Sequence, residues 1–163
     1  TGMLTLHGDA AACAGPGGAA SRHVVISDLH RAAGSMKLDF AHHDSPAAMF
    51  AVYDGAAGGA MAEAAAKGLH VRLLPRLAQH RGNWENERLE QVIDESIRQL
   101  AGEIGAAGLA LAVAVILGGR VALAASGGAM CLLFGRDGGA EGGMDDIDVI
   151  GTEAGVTTHC SIL

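Results

Sequence analysis

The sequence predicts an α+β fold in which two consecutive antiparallel helices pack on a sheet. Three observations support this prediction. An apolar, strand-like run over residues 47–53 ends in Asp54, two helical patterns follow over residues 59–77 and 85–105, and further strand-like runs come after the helices. The order of strands, then two helices, then strands indicates an α+β layering, because a doubly wound parallel sheet alternates strands with helices.

The first part of the chain is predicted to lead into the strand that ends at Asp54. Residues 1–21 are rich in glycine and alanine and have no sustained period, so we expect a flexible arm or a segment ordered by a partner. The β-branched run over residues 23–29 predicts a strand, and residues 36–41 are expected to return as a second one. The segment His42-His43-Asp44-Ser45-Pro46 is interpreted as a solvated loop and not as a metal site.

The first helix is predicted over residues 59–77. Its apolar residues recur near one face at helical spacing, which favours a helix packed on a sheet. Pro75 is expected to end or kink this helix at Leu74, because proline cannot donate the backbone hydrogen bond that a helix interior requires.

The second helix, over residues 85–105, has the clearer pattern. Asn83 or Asn86 is the expected N-cap, and Gly105 is the expected end. Trp84, the only tryptophan, is expected to pack at the start of this helix. The face predicted to enter the core consists of Leu89, Val92, Ile93, Ile97, Leu100 and Ile104.

Three strand-like runs follow the helices. Residues 109–117 and 120–125 flank Gly118-Gly119, which is a two-residue hairpin signal, and residues 130–134 form the third run after another Gly-Gly pair. Residues 136–163 are rich in glycine and aspartate and are interpreted as a tail.

Composition and charge exclude several classes of protein. The net charge is -7 and no basic stripe with interleaved aromatic residues occurs, so nucleic acid is not an expected partner. Cys13, Cys131 and Cys160 are widely spaced and odd in number, and they predict neither a zinc site nor a disulfide framework. We expect an intracellular, reducing compartment. The organelle stays open, because any processed targeting peptide would precede Thr1.

Two features bear on membrane contact. The longest apolar run, residues 106–117, is shorter than the roughly 20 residues that a transmembrane helix needs. The last residues, Cys160-Ser161-Ile162-Leu163, fit a C-terminal prenylation signal but have no polybasic run upstream. Membrane contact is therefore expected to be indirect or to depend on Cys160.

Three segments carry a family resemblance. Residues 50–58 read Phe-Ala-Val-Tyr-Asp-Gly-Ala-Ala-Gly, residues 26–39 end in Met-Lys-Leu-Asp, and residues 109–128 contain a Gly-Gly hairpin and end in Ala-Ser-Gly-Gly. In turn they resemble the FAVYDGHGG signature, the first strand with its Met-Glu-Asp motif, and the STAVVALI…GNKLYVANVGDSR hairpin of the PP2C (PPM) metal-dependent Ser/Thr phosphatases. Residues 22–135 are therefore interpreted as a PP2C-like half domain between the arm, residues 1–21, and the tail, residues 136–163.

The resemblance implies a β-sandwich flanked by helices, with two metal ions held by acidic residues at one end. The metals activate a bridging water that attacks phosphorus, and such hard cations need several oxygen ligands. By the resemblance, Asp54 matches the bridging aspartate, Gly55 offers its carbonyl, and Asp39 matches the aspartate of Met-Glu-Asp.

The chain departs from the family pattern at several of its functional positions. Leu38 stands where the metal-associated glutamate is expected, and Ala56 replaces the histidine that resembles a general acid. Gly128 begins the Gly-Ala-Met that replaces Asp-Ser-Arg, and Gly34 and Ser35 lie where a phosphate-gripping arginine is expected. We interpret Asp54, Gly55 and Asp39 as vestigial metal positions and expect no catalytic residue, no cofactor and unoccupied metal positions.

The function predicted from these departures is that of a pseudophosphatase. The chain would be a non-catalytic PP2C-like domain that serves as a structural or interaction subunit, with other protein subunits of a larger complex as partners. Two alternatives stay open. One is an active Mg- or Mn-dependent protein Ser/Thr phosphatase with an unusual site. The other is a metal- or phosphoprotein-sensing module in which Asp54 and Asp39 hold one ion without catalysis.

Overall fold

A computed structural model of the chain describes residues 21–55, 58–105, 109–135, 146–151 and 156–162. Within these residues the elements are β1 (Ser21–Ile26), α1 (Leu29–Ser35), β2 (Ala47–Gly55), α2 (Gly59–Gln79), α3 (Asn86–Ile104), β3 (Leu109–Leu117), β4 (Arg120–Ser126), β5 (Met130–Gly135), β6 (Asp146–Gly151) and β7 (Val156–Ile162). The predicted α+β class is confirmed, because two consecutive helices lie between groups of strands.

The strands form two sheets in which all neighbours are antiparallel. The larger sheet has the order β1-β2-β3-β4-β7, and β5 pairs with β6 in a two-stranded sheet. Gly118 and Gly119 make the predicted hairpin turn between β3 and β4. These pairings place the end of β2 beside the beginnings of β1 and β3, which is where Asp54 lies.

The main core lies between the larger sheet and the helices. Alternate residues of β2, namely Met49, Ala51 and Tyr53, are buried on this side, as the period of two in a strand requires. The predicted face of α3 is confirmed, because five of its six residues are buried and Ile104 packs against them. Burying each large aliphatic side chain contributes about 2 kcal/mol, so this face holds α3 on the sheet.

Helices α2 and α3 are antiparallel, as predicted. Arg72 in the middle of α2 contacts Glu103 near the end of α3, whereas Arg76 lies one turn later and contacts Glu95, two turns earlier in α3. Such ion pairs contribute little individually because both partners reach solvent. They do align the polar sides of the two helices.

The prediction of a second strand over residues 36–41 is wrong, because helix α1 ends at Ser35 and residues 36–41 form turns and irregular chain. The Asp28 carboxylate accepts a hydrogen bond from the Arg31 backbone N–H at 2.9 Å, which caps the start of α1. Lys37 takes a left-handed φ of 58° just after the helix. This backbone conformation is incompatible with a strand. Asp28 is the residue in the sequence that indicates the start of a helix, because aspartate is a preferred N-cap.

Two further predictions concern the boundaries of the helices. Pro75 does not end α2, which continues to Gln79, so that alternative is wrong, whereas the predicted kink at Leu74 stays a prediction. Leu73, Leu74 and Leu77 are buried on both sides of the proline, and this burial offsets the cost of about 3 kcal/mol that the missing hydrogen bond imposes. Glu85, and neither predicted asparagine, occupies the N-cap position of α3.

The other end of α3 agrees with the sequence. Gly105 ends the helix in a left-handed conformation with φ of 66° and ψ of 58°, as predicted.

The segment after residue 135 contributes strands to both sheets. β6 pairs with β5, and β7 pairs with β4 through the register Ala122↔Cys160. The division at residues 21 and 136 stays a prediction, as does prenylation at Cys160. Residues 1–20 and Ala56 lie outside the described part of the chain, and no described helix is long and apolar enough to cross a membrane.

Candidate functional site

Asp54 lies at the end of β2. Its neighbours across the sheet are Ser21 of β1 and Ala110 of β3. The carboxylate is exposed and accepts a hydrogen bond from the Ser21 hydroxyl at 3.3 Å. The strand therefore places a carboxylate at one end of the sheet, where β2 leads into α2, as the sequence predicts, and that carboxylate is solvated.

Gly55, the next residue, is part of the turn between β2 and α2. Its carbonyl accepts a hydrogen bond from the Gly58 N–H at 3.0 Å. A Cβ at residue 55 would lie 2.4 Å from the Gly58 oxygen, so only glycine fits this turn. The carbonyl that the resemblance assigned to a metal thus closes the entry into α2.

Asp39 lies in the loop between α1 and β2 and forms an ion pair. Its carboxylate accepts a hydrogen bond from the Arg81 guanidinium at 2.7 Å and one from the Ala41 N–H at 3.3 Å. The hydrogen bond from Arg81, followed by the one from Ala41, lowers the pKa of Asp39. Arg81 follows the last turn of α2, so Asp39 sits at that end of the helix.

Asp39 and Asp54 lie at opposite ends of α2. A helix of this length is about 30 Å long, so one metal centre cannot include both carboxylates. Among the described residues, no group of three or more His, Cys, Asp or Glu side chains could hold a metal ion. The positions assigned by the resemblance do not fit a two-metal site in the part of the chain that the structure describes.

A separate cleft of about 360 Å³ opens at the end of the sheet far from Asp54. It lies between the loop before β2, the connector after α2 and the β3–β4 turn. Its polar and aromatic lining includes His42, His43, Asp44, Trp84 and Arg120. The sequence prediction missed this cluster.

His43 is buried in the wall of this cleft, contrary to the prediction of a solvated loop. Its Nε2 lies 2.9 Å from the Leu77 carbonyl, and its Nδ1 accepts a hydrogen bond from the Trp84 indole N–H at 3.3 Å. Nε2 must therefore donate to Leu77, which defines a neutral ring with its proton on Nε2. His43 connects the loop before β2 to the last turn of α2.

His42 forms a similar link at the surface. Its Nε2 lies 2.7 Å from the His80 carbonyl and its Nδ1 lies 3.1 Å from the Arg81 guanidinium. Because the guanidinium can only donate, Nδ1 accepts and Nε2 carries the proton. The His80 ring stacks on Trp84 with centroids 3.9 Å apart. These contacts join the loop before β2 to the end of α2. The residues that make them, His42, His43, His80, Arg81 and Trp84, are called the clasp below.

We expect the free energy of unfolding to fall as the pH drops below about 6.5, the ordinary pKa of histidine. Burial lowers the pKa of His43 in the folded protein. The unfolded chain then binds more protons than the folded chain, so the stabilisation present above pH 6.5 is lost on acidification. The surrounding His30, His42 and His80 lower this pKa further.

Urea unfolding at several pH values tests this expectation. His43→Gln should reduce the pH dependence between pH 7 and 5, whereas His23→Gln, at an exposed position of β1, should preserve it. An unchanged pH profile in His43→Gln contradicts the assignment of this dependence to His43. Asp39 has a lowered pKa and contributes at more acidic pH, outside this window.

The element order and the sheet topology define an α+β fold. The chain is similar to the crystal structure of serine-threonine phosphatase 2C from Toxoplasma gondii, with a TM-score of 0.51 and 15% sequence identity. The match covers 82% of this chain and 49% of that chain, so this chain spans about half the length of the phosphatase. At this identity the likeness shows the fold alone. No protein-family model and no curated protein sequence matches the chain.

Proposed function

We propose that the chain is a non-catalytic PP2C-like domain that acts as a structural or interaction subunit of a larger protein assembly. The observation that carries the proposal is the separation of Asp39 from Asp54 by the length of α2. The first carboxylate is paired with Arg81, and the second is bonded to Ser21.

Metal-dependent phosphoryl transfer needs several carboxylates around the same ions. Asp54 has none of its predicted companions among the described residues, because Asp39 is remote and Leu38 is apolar and packs against the main core. Ala56 has no proton to donate in place of the histidine of the resembling signature. These features favour a domain that keeps the fold but does not catalyse phosphoryl transfer.

A role in assembly is supported by the surface of the sheet. Val25 of β1 and Val52 of β2 are large apolar side chains that remain exposed. Neighbouring exposed apolar residues on one face offer apolar surface that a partner protein could bury. The proposed partners are therefore other protein subunits.

Phosphatase assays test the catalytic part of the proposal. We expect the purified chain to hydrolyse neither a phosphopeptide nor a chromogenic phosphate ester above background in millimolar Mn²⁺ or Mg²⁺. Asp54→Asn is the matched variant, because it removes the charge and keeps the shape. Metal-dependent turnover that is abolished by Asp54→Asn would overturn the proposal in favour of an active phosphatase.

Metal titration addresses the sensing alternative. Calorimetry and thermal unfolding with Mg²⁺ and Mn²⁺ should show neither binding heat nor a shift in melting temperature. Binding that disappears in Asp54→Asn, without turnover, would instead favour a regulatory module that holds one ion.

The assembly role is tested by the behaviour of the isolated chain. We expect it to bind a hydrophobic dye through its exposed apolar surface and to self-associate or gain stability with a partner. A monodisperse monomer that unfolds cooperatively and binds no dye would contradict dependence on other subunits.

A further inference from the structure

The outer face of the five-stranded sheet, defined here as the face turned away from α2 and α3, is only partly covered. Residues opposite each other on antiparallel strands point to the same face. Two such rows cross the sheet from β4 to β1: Ala125, Ala112, Val52 and the exposed His23 form one, and Leu123, Ala114, Phe50 and Val25 form the other.

Exposure rises from one end of each row to the other. Ala125 is 0% exposed, whereas Val52 in the same row is 46% exposed. Leu123 is 5% exposed, whereas Val25 is 42% exposed. The outer face is therefore buried at β4 and open to solvent at β2 and β1.

The two-stranded sheet accounts for this gradient. β6 contacts β4 and β7, β5 contacts β4 and β3, and Cys131 of β5 packs on the buried cluster of this face. The second layer thus extends over β7, β4 and β3. The edge of β5 that does not pair with β6 points towards β2 and β1, and no strand in the described ranges pairs with it.

The geometry points to an extended strand of a partner protein that pairs with the open edge of β5 and covers Val52 and Val25. Neighbouring strands lie about 4.8 Å apart, so a strand added to β5 would lie over β2. This inference rests on the proposed interaction function and names the kind of partner.

The chemistry of the occupant follows from the two surfaces it would touch. An open strand edge presents unpaired N–H and C=O groups, which select an extended backbone over a helix. Val52 and Val25 select apolar side chains at alternate positions, since those positions share a face. The exposed Asp54 beside Val52 and the net charge of -7 favour basic residues at the ends of the strand.

A defined peptide tests this inference. The probe is a fluorescently labelled synthetic peptide of alternating valine and threonine with lysines at both ends. We expect saturable binding by fluorescence anisotropy, and we expect Val52→Thr to weaken it by about fivefold. Val25→Thr should weaken it less, because Val25 lies one strand further from β5. Threonine keeps the shape and strand preference of valine, so both variants should fold.

Two controls separate strand addition from unspecific adhesion. Val71→Thr alters a valine on α2 that is 45% exposed and lies on the other side of the sheet, so it should leave binding unchanged. The same peptide with a methyl group on every backbone nitrogen has no N–H to donate to a strand edge and should not bind.

Three outcomes overturn the inference: no binding of the probe, equal binding of the N-methylated peptide, or equal losses in Val71→Thr and Val52→Thr. A stable homodimer in sedimentation, disrupted by Val52→Thr, would replace the partner strand with a second copy of the chain. If phosphatase activity is absent and the peptide fails to bind, only this inference falls. Activity abolished by Asp54→Asn would instead overturn the proposed function.

Discussion

Gly127→Ala is expected to destabilise the protein by about 3 kcal/mol or more. Gly127 follows β4 with a left-handed φ of 67°, and an added Cβ would lie 2.1 Å from the Leu109 carbonyl oxygen and 2.9 Å from the Ala110 Cα. Both contacts involve the backbone of β3, which cannot move without breaking its pairing with β2. Urea unfolding followed by circular dichroism measures the loss.

Gly128→Ala is the matched control for this prediction. Gly128 also has a left-handed φ, at 84°, but a Cβ there would meet nothing within 4 Å. It should cost only the conformational strain of about 1 to 2 kcal/mol. Equal losses at both positions would show that strain, and not the close approach to β3, makes Gly127 necessary.

Trp84→Ala is expected to cost about 3 to 5 kcal/mol, the usual range for truncating a large buried aromatic side chain. Trp84 is buried, stacks on His80 and donates its indole N–H to His43. Its removal would leave a cavity in the clasp that joins the loop before β2 to the end of α2. Thermal and urea unfolding measure the effect.

Trp84→Phe separates packing from hydrogen bonding. Phenylalanine keeps much of the apolar contact but leaves His43 Nδ1 without its donor, which should cost about 1 to 2 kcal/mol. If Trp84→Phe lowers the free energy of unfolding as much as Trp84→Ala does, the stabilisation by Trp84 comes mainly from its hydrogen bond to His43. A loss near zero in Trp84→Ala would contradict the structural role of the clasp.

Much of the fold could be predicted because its signals are local. The apolar period of α3, the end of that helix at Gly105 and the β3–β4 hairpin each depend on residues near in sequence. The wrong predictions arose where two local signals competed. Residues 36–41 looked strand-like, yet the Asp28 cap starts a helix over Leu29–Ser35, and Lys37 takes a left-handed turn conformation within residues 36–41.

The candidate site was predicted less completely, since it depends on contacts between distant segments. The strand ending at Asp54 was predicted, and so was the packing of Trp84 at the start of α3. The burial of His43 was missed, because its partners Leu77 and Trp84 lie more than 30 residues away. A pair of histidines shortly before a proline does not indicate which distant residues the histidines will contact.

The sequence by itself determined the α+β order, the buried faces of the helices and the position of Asp54 at the end of a strand, because periodicity and turn residues act over a few positions. Tertiary structure decided that Asp39 lies a helix length from Asp54, that Gly55 uses its carbonyl in a turn, and that β7 completes the larger sheet. These outcomes depend on strand order and on helix direction. Both follow from which distant surfaces pack together, and no short segment of sequence specifies that choice.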